Sequence, residues 1–413
     1  MAKSEHTMLE VAGKEVRLSN PGKVYFPKPG WTKLDLAEYY VGMADAVLVH
    51  VRERPTVMKR FVKGVMEDPI WQKRVPQKVP DWLETATVAF PSGRTAEELV
   101  ANDAAHLVWA VNLGVIDFNP WPARRADLDH PDELRVDLDP TPGIGWNDVR
   151  RTAMVVRDVL ADVGLVGWPK TSGSRGFHIY ARIQPRWTFA QVRRAAAGLA
   201  AEVARRVPDI ATSRWWKEER HGVFVDYNQN AKDRTTASGY SVRPTPDARV
   251  SMPLRWEELD GCEPGQFTID TVPEKFAADG DAWAGIDDDA GSLEALLALA
   301  DEHAHDEPTG PKRDEIPVIE IARARTKEEA MAGLDRWRSR HPGVWEQLKP
   351  ADVLVDSMRG RSSTWTRIRL NLQHVPEADR PAQEPLEVDY DPWAGVTGPR
   401  GPAAPRAPRT PRR

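Results

Sequence analysis

Between Leu134 and Gly143 the chain reads Leu-Arg-Val-Asp-Leu-Asp-Pro-Thr-Pro-Gly, and no other stretch constrains the fold as tightly. Successive side chains of a strand point to opposite faces, so Val136 and Leu138 are expected to face a core while Asp137 and Asp139 share the other face. Two carboxylates held side by side repel and raise one another's pKa unless a cation sits between them. An all-oxygen site of that kind suits Mg²⁺ or Mn²⁺. Pro140 and Pro142 end the strand and stiffen its tip. Alone, an Asp-x-Asp pair is more often a solvated strand end than a metal site, so its meaning depends on what else the chain brings.

At 413 residues there is room for one large or two ordinary domains. The 57 Lys and Arg against 62 Asp and Glu give a net charge of −5, which would argue against nucleic acid if it were uniform. It is not: between Glu257 and Glu307 sixteen acids stand against one base, Lys275, so the remainder is net basic. The single cysteine, Cys262, can form no internal disulfide and fits a reducing compartment. Neither a signal peptide nor an apolar run of about 18 residues is apparent. The expectation is a cytoplasmic protein with no membrane partner.

In chain order, Asn20-Pro-Gly reads as a turn, and Thr32 as the N-cap of a helix to about His50. A strand over Thr56 to Phe61 follows, then a loop carrying Trp71, then mixed helix and strand from Asn102 to Trp121. Asn147 is expected to cap a helix to about Val163, and Thr188 a long Ala/Arg helix that ends before Pro208. Strands are expected at Gly176 to Arg182 and Gly222 to Tyr227. The acidic segment from Glu257 closes in a short helix near Leu293 to Ala300, and Pro308 to Asp314 reads as a linker. Beyond it Thr326 and Glu329 form a capping box on a helix to about Arg340. Asp352 to Asp356 and an Arg-rich run from Arg359 to Leu372 read as strands, the latter either DNA-facing or a plain exposed edge. The Pro- and Arg-rich residues from 396 to 413 cannot bury a core and are expected to be disordered.

Two stretches supply what the Asp pair lacks. Ser172-Gly-Ser-Arg-Gly-Phe-His178 is a glycine-bearing turn that runs into a strand, where backbone N–H groups can form an anion-binding concavity. His178 and Tyr180 share one face of that strand, which points the histidine out of the core. Val223-Phe-Val-Asp226 places a third acid at a strand end, and three carboxylates complete a two-metal site.

Asp137-x-Asp139, then Ser172 to His178, then Asp226, in that order, resemble the three motifs of the archaeo-eukaryotic primase superfamily, and most of all the polymerase domain of bacterial ligase D and its stand-alone relatives. The resemblance implies an α+β fold: a primase-polymerase core with an RRM-like palm β-sheet flanked by helices over residues 1–307, followed by a small C-terminal accessory region over 308–395. Asp137, Asp139 and Asp226 match the metal-binding catalytic acids. Lys59, Ser172, Arg175, His178, Gln229 and Arg243 match nucleotide contacts. Asn20, Lys23 and Lys33 match a pocket for a 5′-phosphate on the downstream strand of a gap, Trp71 a base-stacking aromatic, and Lys232 belongs to the same basic loop as Gln229 and Arg243. Ile70 replaces the second aromatic of the stacking pair, and the Ile116 to Trp121 stretch, with Asp117, stands where the family carries a histidine near the ribose.

The implied function is metal-dependent addition of NTPs or dNTPs to a 3′-OH, with two Mn²⁺ or Mg²⁺ ions, in short gaps during end-joining repair of double-strand breaks. The implied partners are gapped or primed DNA with a 5′-phosphate, a separate ATP-dependent DNA ligase, and Ku; a monomer acting at the nucleoid is expected. Two alternatives stand beside this reading. One is a primase or damage-tolerance polymerase that starts chains without a primer. The other is a DNA-end binding module that recruits a separate ligase.

Overall fold

The computed structural model describes residues 5–90, 93–305, 316–359 and 364–392. The linker expected at 308–314 and the tail expected at 396–413 lie outside the described residues. The chain divides into two compact units, residues 1–213 with 221–308, and residues 214–220 with 309–413. None of the described helices is long and apolar enough to cross a membrane.

The first unit opens with a hairpin, β1 (His6–Val11) and β2 (Lys14–Ser19), and a second small one, β3 (Val24–Phe26) and β4 (Trp31–Thr32). The helix expected from Thr32 to His50 is two helices, α1 (Lys33–Gly42) and α2 (Ala44–Val51), broken at Met43. Gly42, a poor helix former, marks the break, and separate axes let both helices turn apolar faces onto the same core. A sheet follows with the order β6 (Ile70–Gln72), β5 (Pro55–Arg60), β8 (Thr95–Val100), β7 (Thr85–Ala89). After α3 (Ala104–Asn112), β9 (Val115–Pro120) pairs with β5 as well.

The second sheet of this unit is built from β10 (Glu133–Pro140), β11 (Trp168–Thr171), β12 (Phe177–Arg182), β13 (Ala211–Thr212) and β14 (Val223–Asp226), in the order β11–β12–β10–β14–β13. Between them run α4 (Trp146–Asp162) and α5 (Phe189–Arg206). Along α4 the buried residues Val149, Ala153, Val156, Val159 and Leu160 recur at helical spacing, as do Val192, Ala195, Leu199 and Val203 on α5. Both stripes join one core with Val136, Leu138, Phe177, Ile179, Val223 and Val225. Each such side chain contributes roughly 1.5–3 kcal/mol when taken fully from water. The N-cap of α4 is Gly145 instead of Asn147, which lies in the first turn and accepts from Arg150. The helix begins as soon as the chain leaves the proline-bounded tip of β10.

Unlike a sheet with one solvated face, this one is buried on both sides at its far end. Glu133, Arg135, Lys170 and Arg182 all lie in the interior. Arg54 pairs with Asp132 at 2.6 Å, Arg135 with Glu133 at 2.6 Å, and Arg182 with Glu133 and with Asp287 at 2.6 Å for the latter. Burying these charges is tolerable because each is matched by hydrogen-bonded partners. The acidic segment forms α6 (Thr271–Asp279) and α7 (Glu294–His305), the latter longer than expected; its Asp287 is a counter-ion to Arg124 and Arg182, and its Asp281 accepts a hydrogen bond from the Tyr240 hydroxyl.

The second unit is a sheet of β15 (Val318–Ala324), β16 (Val353–Arg359), β17 (Thr364–Asn371) and β18 (Val388–Asp389), ordered β16–β17–β15–β18. On one face packs α8 (Lys327–Arg340), started by the Thr326–Glu329 capping box, with Ile319, Ile321, Leu334, Trp337, Ile368 and Leu370 as core. On the other face Arg367 and Arg369 pair with Asp356 at 3.2 and 3.0 Å, Arg369 also pairs with Glu218, and Asn371 Nδ2 donates to the Glu218 carbonyl. Of the arginine run left open as DNA-facing or edge, these two described members are instead paired within their own unit.

Candidate active site

Register brings the three aspartates together. In β10, Asp137 lies opposite Asp226 of β14 on one side and His178 of β12 on the other, and His178 in turn lies opposite Lys170 of β11. Directly opposite residues share a face, so Lys170, His178, Asp137 and Asp226 form one row across four strands, with Asp139 two residues further along β10. One carboxylate oxygen each of Asp137, Asp139 and Asp226 lies within 4.8 Å of the others. Among the described residues this is the one group of three such side chains placed to hold a metal ion. The Gln229 amide donates to Asp137 at 3.3 Å and Asp226 at 3.2 Å, and the Asn228 N–H donates to Asp226 at 2.7 Å.

Burial, then the charges of Asp139 and Asp226, push the Asp137 carboxyl well above the usual carboxylate range, although Lys170 and Arg243 oppose this. The protein's own cations therefore leave the cluster short of positive charge. An all-oxygen donor set with residual repulsion fits a hard divalent cation, so the residues present suit the metal that the sequence implied.

Beside the aspartates sits the glycine turn. Ser172 Oγ accepts the N–H groups of Ser174 at 3.2 Å and Gly176 at 3.1 Å, and Ser172 N donates to Gly176 O at 2.9 Å. Two amides expected to line an anion concavity are thus turned onto the serine, whose own hydroxyl proton is left to donate to a ligand. Gly176 cannot be replaced without movement: a Cβ there would lie 1.9 Å from the Leu138 carbonyl, the residue between the two aspartates. Gly173 has φ +66°, and a Cβ there would meet Arg243 Cγ at 2.3 Å. Arg175 is exposed at the turn's tip and, with Ser174, Arg249, Thr141 and Trp146, lines a cavity of about 580 Å³.

His178 lies on the face expected but is only 6% exposed, because that face is covered by the segment carrying Ser251. Its Nδ1 is 2.6 Å from Lys170 Nζ and its Nε2 is 3.4 Å from Asp137 Oδ1. Burial first, and then Lys170 and Arg243, hold its pKa well below the ordinary histidine value, so the ring is neutral.

On β5, Lys59 points to the same region. Its Nζ is 3.9 Å from Asp117, which Arg243 also reaches at 3.2 Å, and it stands over the rings of Phe61 and Trp71 at 5.2 and 5.3 Å. Trp71, opposite Lys59 in register, is 62% exposed. Sequence reasoning passed over Lys170, Ser251 and Asn228. Lys170 was within reach: it lies two positions before Ser172, on the same face as Trp168.

The residues assigned to a 5′-phosphate divide. Asn20 is exposed at φ +50°, and Lys23 donates to the Val62 carbonyl at 2.7 Å. Lys33 is 4% exposed, and its Nζ contacts Ser19 O and Asn112 O, both at 2.8 Å, as well as Ser19 Oγ and Asn112 Oδ1. Burial, with Lys23 and Arg60 nearby, brings its pKa down to about 8. The start of α1 is also committed: Lys33 N donates to Lys23 O, Leu34 N to Pro21 O, and Asp35 N to Thr32 Oγ1. Of the residues matched to a 5′-phosphate pocket, Lys33 is therefore corrected, because its ammonium and those amides brace the turn from within. Lys232 is paired with Asp129 at 2.7 Å and stands over the Phe189 ring at 5.9 Å.

Residues 32–283 match the family model described as LigD, primase-polymerase domain. The multifunctional non-homologous end joining DNA repair protein LigD of Mycobacterium tuberculosis is 35% identical over 298 residues, covering 67% of this chain and 38% of that protein. The LigD of Pseudomonas aeruginosa is 31% identical over 288 residues, covering 68% and 34%. The chain thus spans about two fifths or less of the length of these relatives. A solved polymerase domain of Mycobacterium tuberculosis ligase D in complex with DNA matches with TM-score 0.62 and 34% identity, over 67% of this chain and 99% of that one. With the α+β fold, the carboxylate row and the glycine turn in the family's order, this chain belongs to the LigD primase-polymerase domain family.

Proposed function

We propose that this primase-polymerase is a metal-dependent nucleotidyltransferase that extends a primer 3′-OH with NTPs or dNTPs in short gaps at broken DNA ends. The observation that carries the reading is the convergence of Asp137, Asp139 and Asp226 within 4.8 Å beside the Ser172 turn. Those aspartates would hold two Mn²⁺ or Mg²⁺ ions, which when bound neutralise phosphate charge and make the 3′-oxygen a better nucleophile. The Ser172 hydroxyl, Arg175 and His178 hold the triphosphate, while Arg243 and Lys59, both anchored on Asp117, flank it. Gln229 orients the Asp137 and Asp226 carboxylates. Trp71 offers a face to a base, and Asn20 with Lys23 meets a downstream 5′-phosphate. Attack of the 3′-oxygen on the α-phosphorus then releases pyrophosphate.

In this reading residues 1–307 are the catalytic domain and 308–395 an accessory region. DNA, a separate ATP-dependent ligase and Ku are the partners, and the protein works as a monomer in the cytoplasm at the nucleoid. An intact acid cluster favours an enzyme over an end-binding module, and extension of a template lacking a primer would favour the primase alternative.

Primer extension on a gapped duplex with Mn²⁺ tests the proposal. Asp137→Ala and Asp226→Ala should each abolish nucleotide addition while DNA binding persists, since losing a ligand to developing charge costs several kcal/mol. Near wild-type addition by either variant would remove that residue from the mechanism.

A further inference from the structure

Past the Ser172 turn lies the cavity of about 580 Å³, within the roughly 300–1,000 Å³ typical of small-molecule sites. Its wall runs from Pro140, the residue after Asp139, to Ser174 and Arg175 at the tip of the turn and on to Arg249. Among the described residues that line it, two are arginines and none is acidic. A guanidinium stays charged at any working pH, so this positive lining needs no assumption about protonation. Ile144 and Trp146 make part of the wall apolar, and Trp146 is fixed by donation from its Nε1 to the Cys262 carbonyl at 2.8 Å and by stacking on Phe177 at 4.6 Å. Such a wall keeps water away and strengthens a contact between guanidinium and phosphate.

Arg249 is placed by the hairpin that also carries Arg243. Arg243 N donates to Arg249 O at 2.6 Å, and Val242 bridges Val250. The hairpin packs closely on the turn, since a Cβ at Gly173 would lie 2.3 Å from Arg243 Cγ and 3.2 Å from the Val250 carbonyl carbon. From it Arg243 reaches Asp117 at 3.2 Å, whereas Arg249 Nη1 donates to the Ser174 carbonyl at 3.4 Å and lines the cavity. Asp247 pairs with Arg249 at 3.1 Å but lies 3.9 Å from Lys28 as well, so Arg175, Arg249 and Lys28 against this one acid leave two positive charges in excess. We propose that the cavity binds the diphosphate end of the nucleotide, the β- and γ-phosphates before transfer and free pyrophosphate after it, with Arg249 as a ligand beside Arg175. This rests on the nucleotidyl-transfer reading for the source of the diphosphate. As the 3′-oxygen bonds to the α-phosphorus and gives its proton to solvent, the bond to the bridging oxygen breaks with its electron pair on the β-phosphate. The charge that develops on the leaving group then falls to the two arginines.

Calorimetric titration of the full-length, metal-free protein with inorganic pyrophosphate tests this. Binding should occur at a single site, and Arg249→Met should weaken it at least about tenfold, the loss of a charge-assisted hydrogen bond. UTP should lose a similar factor, and UMP, which lacks the two terminal phosphates, should bind as it does to wild type. An arginine that merely latches the Ser174 carbonyl would weaken both nucleotides alike or neither, and either result would overturn the assignment. A single-stranded oligonucleotide without terminal phosphates should leave pyrophosphate in place; displacement would make the cavity a site for backbone phosphate instead. Should Arg249→Met fail to fold, crystals of the wild-type protein soaked in pyrophosphate decide the matter: a diphosphate within hydrogen-bond reach of Arg249 is expected, and one bound elsewhere, or none, would sink the proposal. If wild type binds pyrophosphate there yet adds no nucleotide, the functional reading has failed and the cavity keeps its ligand.

Discussion

Replacing Asp139 by Asn should stabilise the metal-free protein and abolish its activity, two outcomes of opposite sign from one atom. Asn keeps the shape and one carbonyl oxygen but removes a charge whose neighbours lie within 4.8 Å. At that distance a pair of like charges costs about 3.5 kcal/mol at an effective dielectric of 20 and about 0.9 kcal/mol in water. Asp139 is exposed, so the lower figure applies to each of its two neighbours, and Lys170 and Arg243 offset part of it. A net gain of about 1 kcal/mol remains, which at about 2.1 cal/mol/K of unfolding entropy per residue raises Tm by about 1–2 °C for a chain of this size. The pH dependence follows. Because the Asp137 carboxyl is raised in the folded state, its protonation favours folding below the ordinary carboxylate pKa, and that contribution is lost as pH rises through the folded value. Thermal stability in a chelator should therefore fall with rising pH more in wild type than in Asp139→Asn. Saturating Mn²⁺ should reverse the order, since a ligand at a hundred times its Kd adds about 2.7 kcal/mol to the form that binds it. If the Asn variant is less stable without metal and gains as much from Mn²⁺ as wild type, the cluster is not a metal site held under repulsion.

Gly176→Ala should lower Tm and kcat together, because a Cβ 1.9 Å from the Leu138 carbonyl must displace the strand that carries the aspartates, at about 1–3 kcal/mol; unchanged melting and unchanged primer extension would mean that the turn is looser than it looks. A 5′-phosphate on gapped DNA should tighten binding at least about tenfold, and less at high salt as counterion release weakens. Lys23→Ala should erase that preference with little effect on Tm, whereas Lys33→Ala should lower Tm as well; equal titration curves for gaps with and without the phosphate would leave Lys23 a solvated side chain. Ribonucleotides should be preferred over deoxyribonucleotides, and parallel insertion kinetics showing the reverse would remove the sugar-selective reading of the Asp117 region.

Local pattern sufficed for much of this. The alternation from Val136 to Asp139 set which side chains face α4 and α5, and Thr188 and Thr326 announced their helices because capping is chemistry between neighbours in sequence. Asp226 needed more: its meeting with Asp137 depends on β14 lying against β10, a pairing over 89 positions that no local period encodes. The misplaced features are those where long-range packing overrode a local signal. Lys33 follows a good cap and looks like a surface cation, yet Ser19 and Asn112 draw it inside. His178 sits on the predicted face, and only the segment around Ser251 buries that face. Glu218 gave no sign that it would join a distant sheet through Arg369.

The acidic segment shows why net charge was a poor guide to function. Its Asp287 neutralises Arg124 and Arg182, and Glu258 and Asp279 neutralise Lys275, so these acids act as counter-ions, while Asp281 accepts a hydrogen bond from Tyr240. Arg54, Arg135 and Arg182 likewise gather around Glu133 and Asp132, and that convergence drives the Glu133 carboxyl well below its ordinary range despite complete burial. A few residues along the same strand, Asp137 goes the other way. It is largely but not fully buried, its nearest charges are two more carboxylates, and the cations within reach do not compensate. One strand thus holds an acid that the protein has neutralised and an acid that it has left short of positive charge. Folding alone would favour the first arrangement at both positions, so the deficit at Asp137 is what a bound cation must complete.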